Sequence, residues 1–256
     1  MSAVMNMPPI GSARSSVDAA EIARFAAVAE RWWAARGEFA PLHRLNPVRL
    51  AFIRDTALAR FQRTSGQRRP FAGLTLLDVG CGGGLVCEPM TRLGFAVTGL
   101  DADRGGCEAA AAHAAEQSLA IDYRAGAVED LVGGASTWDV VLALEVIEHV
   151  AAPASFLSDC AALVTSGGLL IVSTINRTAR SLMLAKFAAE HLLRWAPRGT
   201  HDWRRFVSVP EMLAMAPAGA RVLAGPSGLV FDPLRGDWRR STDVSVNYVV
   251  AFGLDP

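Results

Sequence analysis

The sequence predicts an α/β fold built on a doubly wound parallel sheet, and three observations predict it. An apolar segment, Leu76-Leu77-Asp78-Val79, empties into Gly80-Cys81-Gly82-Gly83-Gly84, a strand running into a turn of nearly bare backbone. A second apolar segment ends on Leu100-Asp101, at the spacing where the next strand of such a sheet presents a carboxylate to a ribose. Leu169 to Thr174 is an unbroken apolar run after Gly167-Gly168, as expected for a strand covered on both faces.

The 256-residue length suits one large domain, and 51% hydrophobic content is enough for a full core. Acidic and basic side chains balance at 25 each, which argues against a general nucleic-acid binder, since neutralising phosphates needs a basic surplus. Cys81, Cys87, Cys107 and Cys160 show neither metal-ligand nor disulfide spacing, so they read as reduced thiols in a cytoplasmic protein. No stretch approaches the ~18 apolar residues of a membrane span, and the N-terminus lacks the layout of a signal peptide.

In chain order, residues 1–16 read as a flexible tail. Residues 17–64 read as a helical cover made of two helices. The first starts at Asp18 with Glu21 three places on, and carries Ile22, Phe25, Ala26, Ala29, Trp32 and Trp33 at helical spacing. Pro47 at a first turn starts the second, Val48 to about Gln62. Residues 71–256 form the main domain. Strands are predicted at 74–79, 95–100, 121–124, 138–144 and 168–174, with helices at 84–93, 104–118 and 153–165. Two further strands, 220–224 and 246–252, complete the sheet. After the fifth predicted strand, 178–203 is an insertion with Leu182, Met183, Phe187, Leu192, Leu193 and Trp195 on one side, flanked by Arg180, Lys186, Arg194 and Arg198. That pattern suits either a helix lying in an anionic membrane interface or an ordinary buried helix; its position favours a lid or membrane-facing segment over the site.

The glycine spacing selects among nucleotides. A dinucleotide fingerprint needs a third glycine where this chain has Leu85 (counting from Gly80) or Cys87 (counting from Gly82), so the nicotinamide and flavin readings fail. Asp78, Gly80 and Gly82 are predicted to hold a nucleoside cofactor against bare backbone, and Asp101 its ribose. Backbone around Val128 should meet its base, with Leu144 at the fourth strand end facing the ribose. Glu145, Glu148 and His149 follow that strand at offsets of three and four, which predicts one acidic face of a helical turn. Such a cluster can hold a hard divalent cation, or His149 can act as general base. His201 could reach the same place from a loop.

The run Asp78-Val79-Gly80-Cys81-Gly82-Gly83-Gly84 resembles the first motif of S-adenosylmethionine-dependent methyltransferases, whose sheet is Rossmann-like. Further blocks are Phe25 to Trp33, Gly37-Glu38-Phe39, Leu42 to Arg49, Glu145 to His149, Ser173 to Arg177, Gly199 to Trp203 and Asp243 to Tyr248. Together with the glycine motif they make residues 17–252 similar to the ubiquinone-biosynthesis O-methyltransferases. The resemblance implies methylation of two hydroxyls on polyprenylated phenol and quinol intermediates, with cofactor contacts at Arg49, Gly80, Asp101 and Leu144. The family often carries Met where this chain has Leu144. The resemblance also implies a divalent cation (Mg2+) at Glu145, Glu148 and His149; the position of the cluster beside the acceptor predicts catalytic roles for Glu145 and His149. It implies contact with the inner membrane face through 179–198, and membership of a biosynthetic complex. The rivals are a small-molecule or RNA ribose methyltransferase with a similar Glu-x-x-Glu-His site, and a non-catalytic binder of the cofactor; neutral charge and an intact acidic cluster count against them.

Overall fold

The computed structural model describes residues 4–6, 32–33, 40–187 and 203–255. Its centre is a nine-stranded sheet ordered β1-β4-β3-β2-β5-β6-β9-β7-β8. The strands are β1 (Met5–Asn6), β2 (Thr75–Val79), β3 (Ala96–Asp101), β4 (Asp122–Ala125), β5 (Trp138–Leu144), β6 (Val164–Ile175), β7 (Ala220–Asp232), β8 (Asp237–Ser241) and β9 (Asn247–Leu254). From β1 to β6 every neighbour is parallel, whereas β9 runs antiparallel to both β6 and β7. The chain leaves β2 in one direction toward β3 and β4, then returns to β5 on the other side. The crevice of a doubly wound sheet therefore opens at the carboxyl ends of β2 and β5.

Alternation along the central strands explains the two-sided core. Leu76, Val140, Leu142, Leu169 and Ile171 face one layer with Phe52, Ile53, Met90 and Phe95. Leu77, Val141, Leu170 and Val172 face the opposite layer with Phe156, Leu157, Met212 and Phe252. Neighbouring residues of one strand point to opposite faces, so an unbroken apolar run feeds both layers.

The helices are α1 (Ala40–Arg60), α2 (Cys87–Arg92), α3 (Arg104–Glu116), α4 (Pro153–Ala162), α5 (Ala179–Phe187) and α6 (Val209–Ala214). Several boundaries differ from those the sequence predicts. Pro47 lies inside α1 instead of opening it. An interior proline costs one backbone hydrogen bond and strains the preceding turn, a cost of about 3 kcal/mol. Burial of Leu45, Phe52 and Ile53 from the same helix offsets that cost. Helix α2 begins at Cys87 rather than at residue 84, because Gly84 is spent in a turn: its φ is +84° and its amide donates to Cys81 O. Two strand segments add to the predicted set. Met5–Asn6, in the stretch that reads as tail, pair with Arg124–Ala125 at one edge. At the other edge Asp232 to Gly236 form a tight loop between β7 and β8, with Asp232 Oδ1 accepting from Leu234 N. The Asp-Pro-Leu-Arg-Gly run between Phe231 and Trp238 is the local hairpin signal there.

The expected helix at 18–33 lies outside the described residues except for Trp32 and Trp33. So do His201 and the insertion from 188 to 202; α5 occupies the insertion's first part. Among the described residues no helix is long and apolar enough to cross a membrane. All four cysteines are free and buried.

Candidate active site

The turn after β2 needs its glycines for two separate reasons. Gly80, Gly82 and Gly84 have φ of +75°, +49° and +84°, a region costly for residues with a Cβ. Space is also lacking: a Cβ on Gly80 would stand 2.3 Å from Val146 Cγ2, and one on Gly82 2.5 Å from the Trp32 ring. The loop is therefore bare backbone at the crevice, shaped as a cradle.

Asp101, at the end of β3, closes on this cradle. Its Oδ2 accepts from Gly82 N and its Oδ1 from Asp103 N, each at 2.8 Å. Burial raises its carboxyl above the ordinary range against the pull of those two amides. Asp78 lies deeper, 3% exposed, and accepts from Cys87 Sγ at 3.3 Å. Desolvation pushes its carboxyl up to about 7, despite the lowering effect of that thiol and of Arg49. Val128 opens a 3-10 turn, Val128–Asp130, and its side chain is buried in the layer that holds Leu100 and Phe156.

Arg49 comes from α1 and is 6% exposed. Its Nε and Nη2 make no hydrogen bond among the described residues, and its one close carboxylate there is Glu145, Nη2 to Oε1 at 3.5 Å. A buried guanidinium short of acceptors is costly, and it creates a binding site for an incoming carboxylate. Asn46, one turn earlier, ties α1 to the loop by donating from Nδ2 to Leu85 O at 2.8 Å.

Register brings the acidic residues to the neighbouring strand. Leu144 pairs with Ser173 across β5 and β6. Glu145 then adopts a φ of +57°, rare for a residue with a Cβ, which turns its side chain back toward Ser173 and Arg49. Ser173 Oγ donates to Glu145 Oε1 at 2.7 Å, and Thr174 Oγ1 donates to Glu148 Oε2 at 2.8 Å. Burial, followed by the charge of Glu145, pushes the Glu148 carboxyl up to about 8.

These details correct the predicted acidic face. Only Ile147–His149 form a helical turn, and it is 3-10, so Glu145 is not stacked above Glu148 and His149 at α-helical offsets. Among the described residues no three His, Cys, Asp or Glu side chains converge to hold a metal. In this arrangement Glu145, Glu148 and His149 do not make a ready-formed cation site: Glu145 Oε1 faces Ser173 and Arg49, and Glu148 Oε2 faces Thr174. Ser173 and Thr174 as partners of these acids, and Trp32 as the ring covering Gly82, lie beyond what the sequence predicts. The strand end is a positional hint for the first pair; the helical spacing of Trp32 and Trp33 suggests only core.

Sheet order, glycine cradle and strand-end carboxylate together define the fold of the S-adenosylmethionine-dependent methyltransferases. Residues 77–172 match the model of a methyltransferase domain. Among solved structures the fold is similar to the plantazolicin methyltransferase BamL (TM-score 0.60, 14% identity, 93% of this chain and 97% of that one). It is also similar to the N-methyltransferase NodS from Bradyrhizobium japonicum (TM-score 0.59, 12% identity, 93% and 98%). Curated relatives narrow this further. The chain is 53% identical to the ubiquinone biosynthesis O-methyltransferase of Caulobacter vibrioides, over 94% of this chain and 96% of that protein. It is 49% identical to the one from Mesorhizobium japonicum, over 93% and 95%. The chain belongs to the ubiquinone biosynthesis O-methyltransferase family.

Proposed function

We propose that the protein transfers a methyl group from S-adenosylmethionine to hydroxyls of polyprenylated phenol and quinol intermediates in ubiquinone biosynthesis, at both O-methylation steps. The observation that carries the reading is Arg49, a buried guanidinium short of acceptors among the described residues and beside a glycine cradle, in a chain half identical to named members of the family. The residues present fit the cofactor. Arg49 would hold its carboxylate, Gly80 and Gly82 would admit it against bare backbone, Asp101 would accept from its ribose hydroxyls, and Leu144 would flank the sulfur. Asp78 would support the loop from below, and the backbone at Val128 would meet the adenine.

The bound cofactor supplies a methyl group on a positively charged sulfur, reactive enough that the protein's work is alignment and exclusion of water. Arg49 and Leu144 orient the donor end; α1 covers it. His149 accepts the acceptor hydroxyl's proton, so that a phenolate oxygen is presented to the methyl group. Glu145, kept near Arg49 and Ser173, places a fixed negative charge beside that proton transfer. No step is assigned to a cation at Glu145, Glu148 and His149, because among the described residues no three such side chains are arranged as a metal site. Contact with the membrane through 179–198, and with partner enzymes, belongs to the same proposal: a polyprenyl acceptor is itself lipid-dissolved.

The test is a methyl-transfer assay with a short-chain polyprenyl catechol. His149→Ala and Glu145→Ala should each lower kcat by about 100-fold, with S-adenosylhomocysteine affinity within a few fold of the parent. Full activity of both variants would overturn the roles of His149 and Glu145. Full activity of the parent after chelation supports the metal-free assignment, whereas loss restored by Mg2+ would require the acidic cluster to rearrange around a cation.

A further inference from the structure

We propose that Trp33 and His113 form a clasp on the glycine loop and thereby set affinity for the cofactor, as positioning residues. The proposal rests on the assignment of that loop to S-adenosylmethionine.

Four consecutive contacts make the clasp. Trp33 Nε1 donates to Gly83 O at 2.9 Å, gripping the middle of the cradle. The Trp33 ring lies flat on the His113 imidazole, with centroids 3.6 Å apart and planes within 6°. His113 Nδ1 hydrogen-bonds Glu88 Oε1 at 2.5 Å. Glu88 is 1% exposed, and its other oxygen meets Arg92 Nη2 at 3.1 Å. The chain of contacts thus starts on α2, crosses to α3, passes through Trp33 and ends on the loop that precedes α2. A second histidine secures the neighbour: His43 Nε2 donates to Trp32 O at 2.9 Å.

The physical consequence concerns the peptides between Cys81 and Gly84. Asp101 holds the Gly82 amide from one side, while Trp33 holds the Gly83 carbonyl from the other. Glycine backbone is the most costly to order, so a loop already held at both ends spares the incoming ligand that ordering. Burying Glu88 under α3 is otherwise unexplained by the core. This buried carboxylate is retained by two cationic or hydrogen-bonding partners, one of which carries the platform for Trp33.

The experiment titrates S-adenosylhomocysteine into the full chain by calorimetry and measures KM and kcat for S-adenosylmethionine in parallel. Trp33→Phe keeps a flat ring and loses the donor; His113→Ala removes the platform. Each should weaken binding about 5-fold, the worth of one net hydrogen bond, and raise KM by the same factor with kcat within about twofold. The double variant should be no weaker than about the worse single one, because both break one connected device. Where His113→Ala melts early, His113→Gln is read in its place. Unchanged affinity in both single variants, or a loss confined to kcat, would overturn the clasp. Absence of any heat with the unaltered protein would instead overturn the cofactor assignment on which the clasp rests.

Discussion

Arg49 Nη2 stands 3.5 Å from Glu145 Oε1, a long ion pair joining the helical cover to the end of the central strand β5. Glu145 is shared: its nearer partner is Ser173 at 2.7 Å, which leaves the guanidinium incompletely satisfied among the described residues. The pair links the two halves of the site, because the residue assigned to the donor's carboxylate touches the residue assigned beside the acceptor.

Removing that cation should therefore separate binding from folding. A charge-assisted hydrogen bond contributes about 1.5–3 kcal/mol, so Arg49→Ala should weaken S-adenosylhomocysteine by about 10- to 100-fold in calorimetry. Thermal stability should fall little or even rise, since the variant no longer buries a poorly paired charge. A large drop in melting temperature with unchanged affinity would make Arg49 structural.

Asp78 makes the folded protein sensitive to pH. Its carboxyl is pushed up to about 7 from an ordinary 3.8, mainly by desolvation. Between those values the folded state holds a proton that the unfolded chain has released. Its stabilising contribution is complete below pH 3.8 and is lost as pH rises through about 7. Asp78→Asn should flatten the decline of melting temperature across that window, measured by circular dichroism; an unaltered slope would show that another group controls it.

Gly80→Ala should be destabilising on two counts that a second substitution can separate. The new Cβ meets Val146 Cγ2 at 2.3 Å, and φ stays at +75°. Val146→Ala should relieve the collision and leave the backbone penalty, about 1–2 kcal/mol, readable as a residual shift in denaturant midpoint. Complete rescue would mean that the loop can adopt another backbone conformation.

The local chemistry of the chain already contains the parallel sheet, the loop and its acid. Short apolar runs, glycines at defined places and an aspartate at a strand end leave few other arrangements, and the central strands lie close to their expected positions. Long-range register does what no local pattern can. Leu144 opposite Ser173 gives Glu145 and Glu148 their hydroxyl partners, and the positive φ of Glu145 cancels the helical offsets on which a metal cluster would depend. Trp33 illustrates the same limit. Its spacing marks it as apolar, but whether an indole packs inward or grips a glycine carbonyl depends on a helix far along the chain, since a hydrogen bond is decided by where its acceptor lies in space.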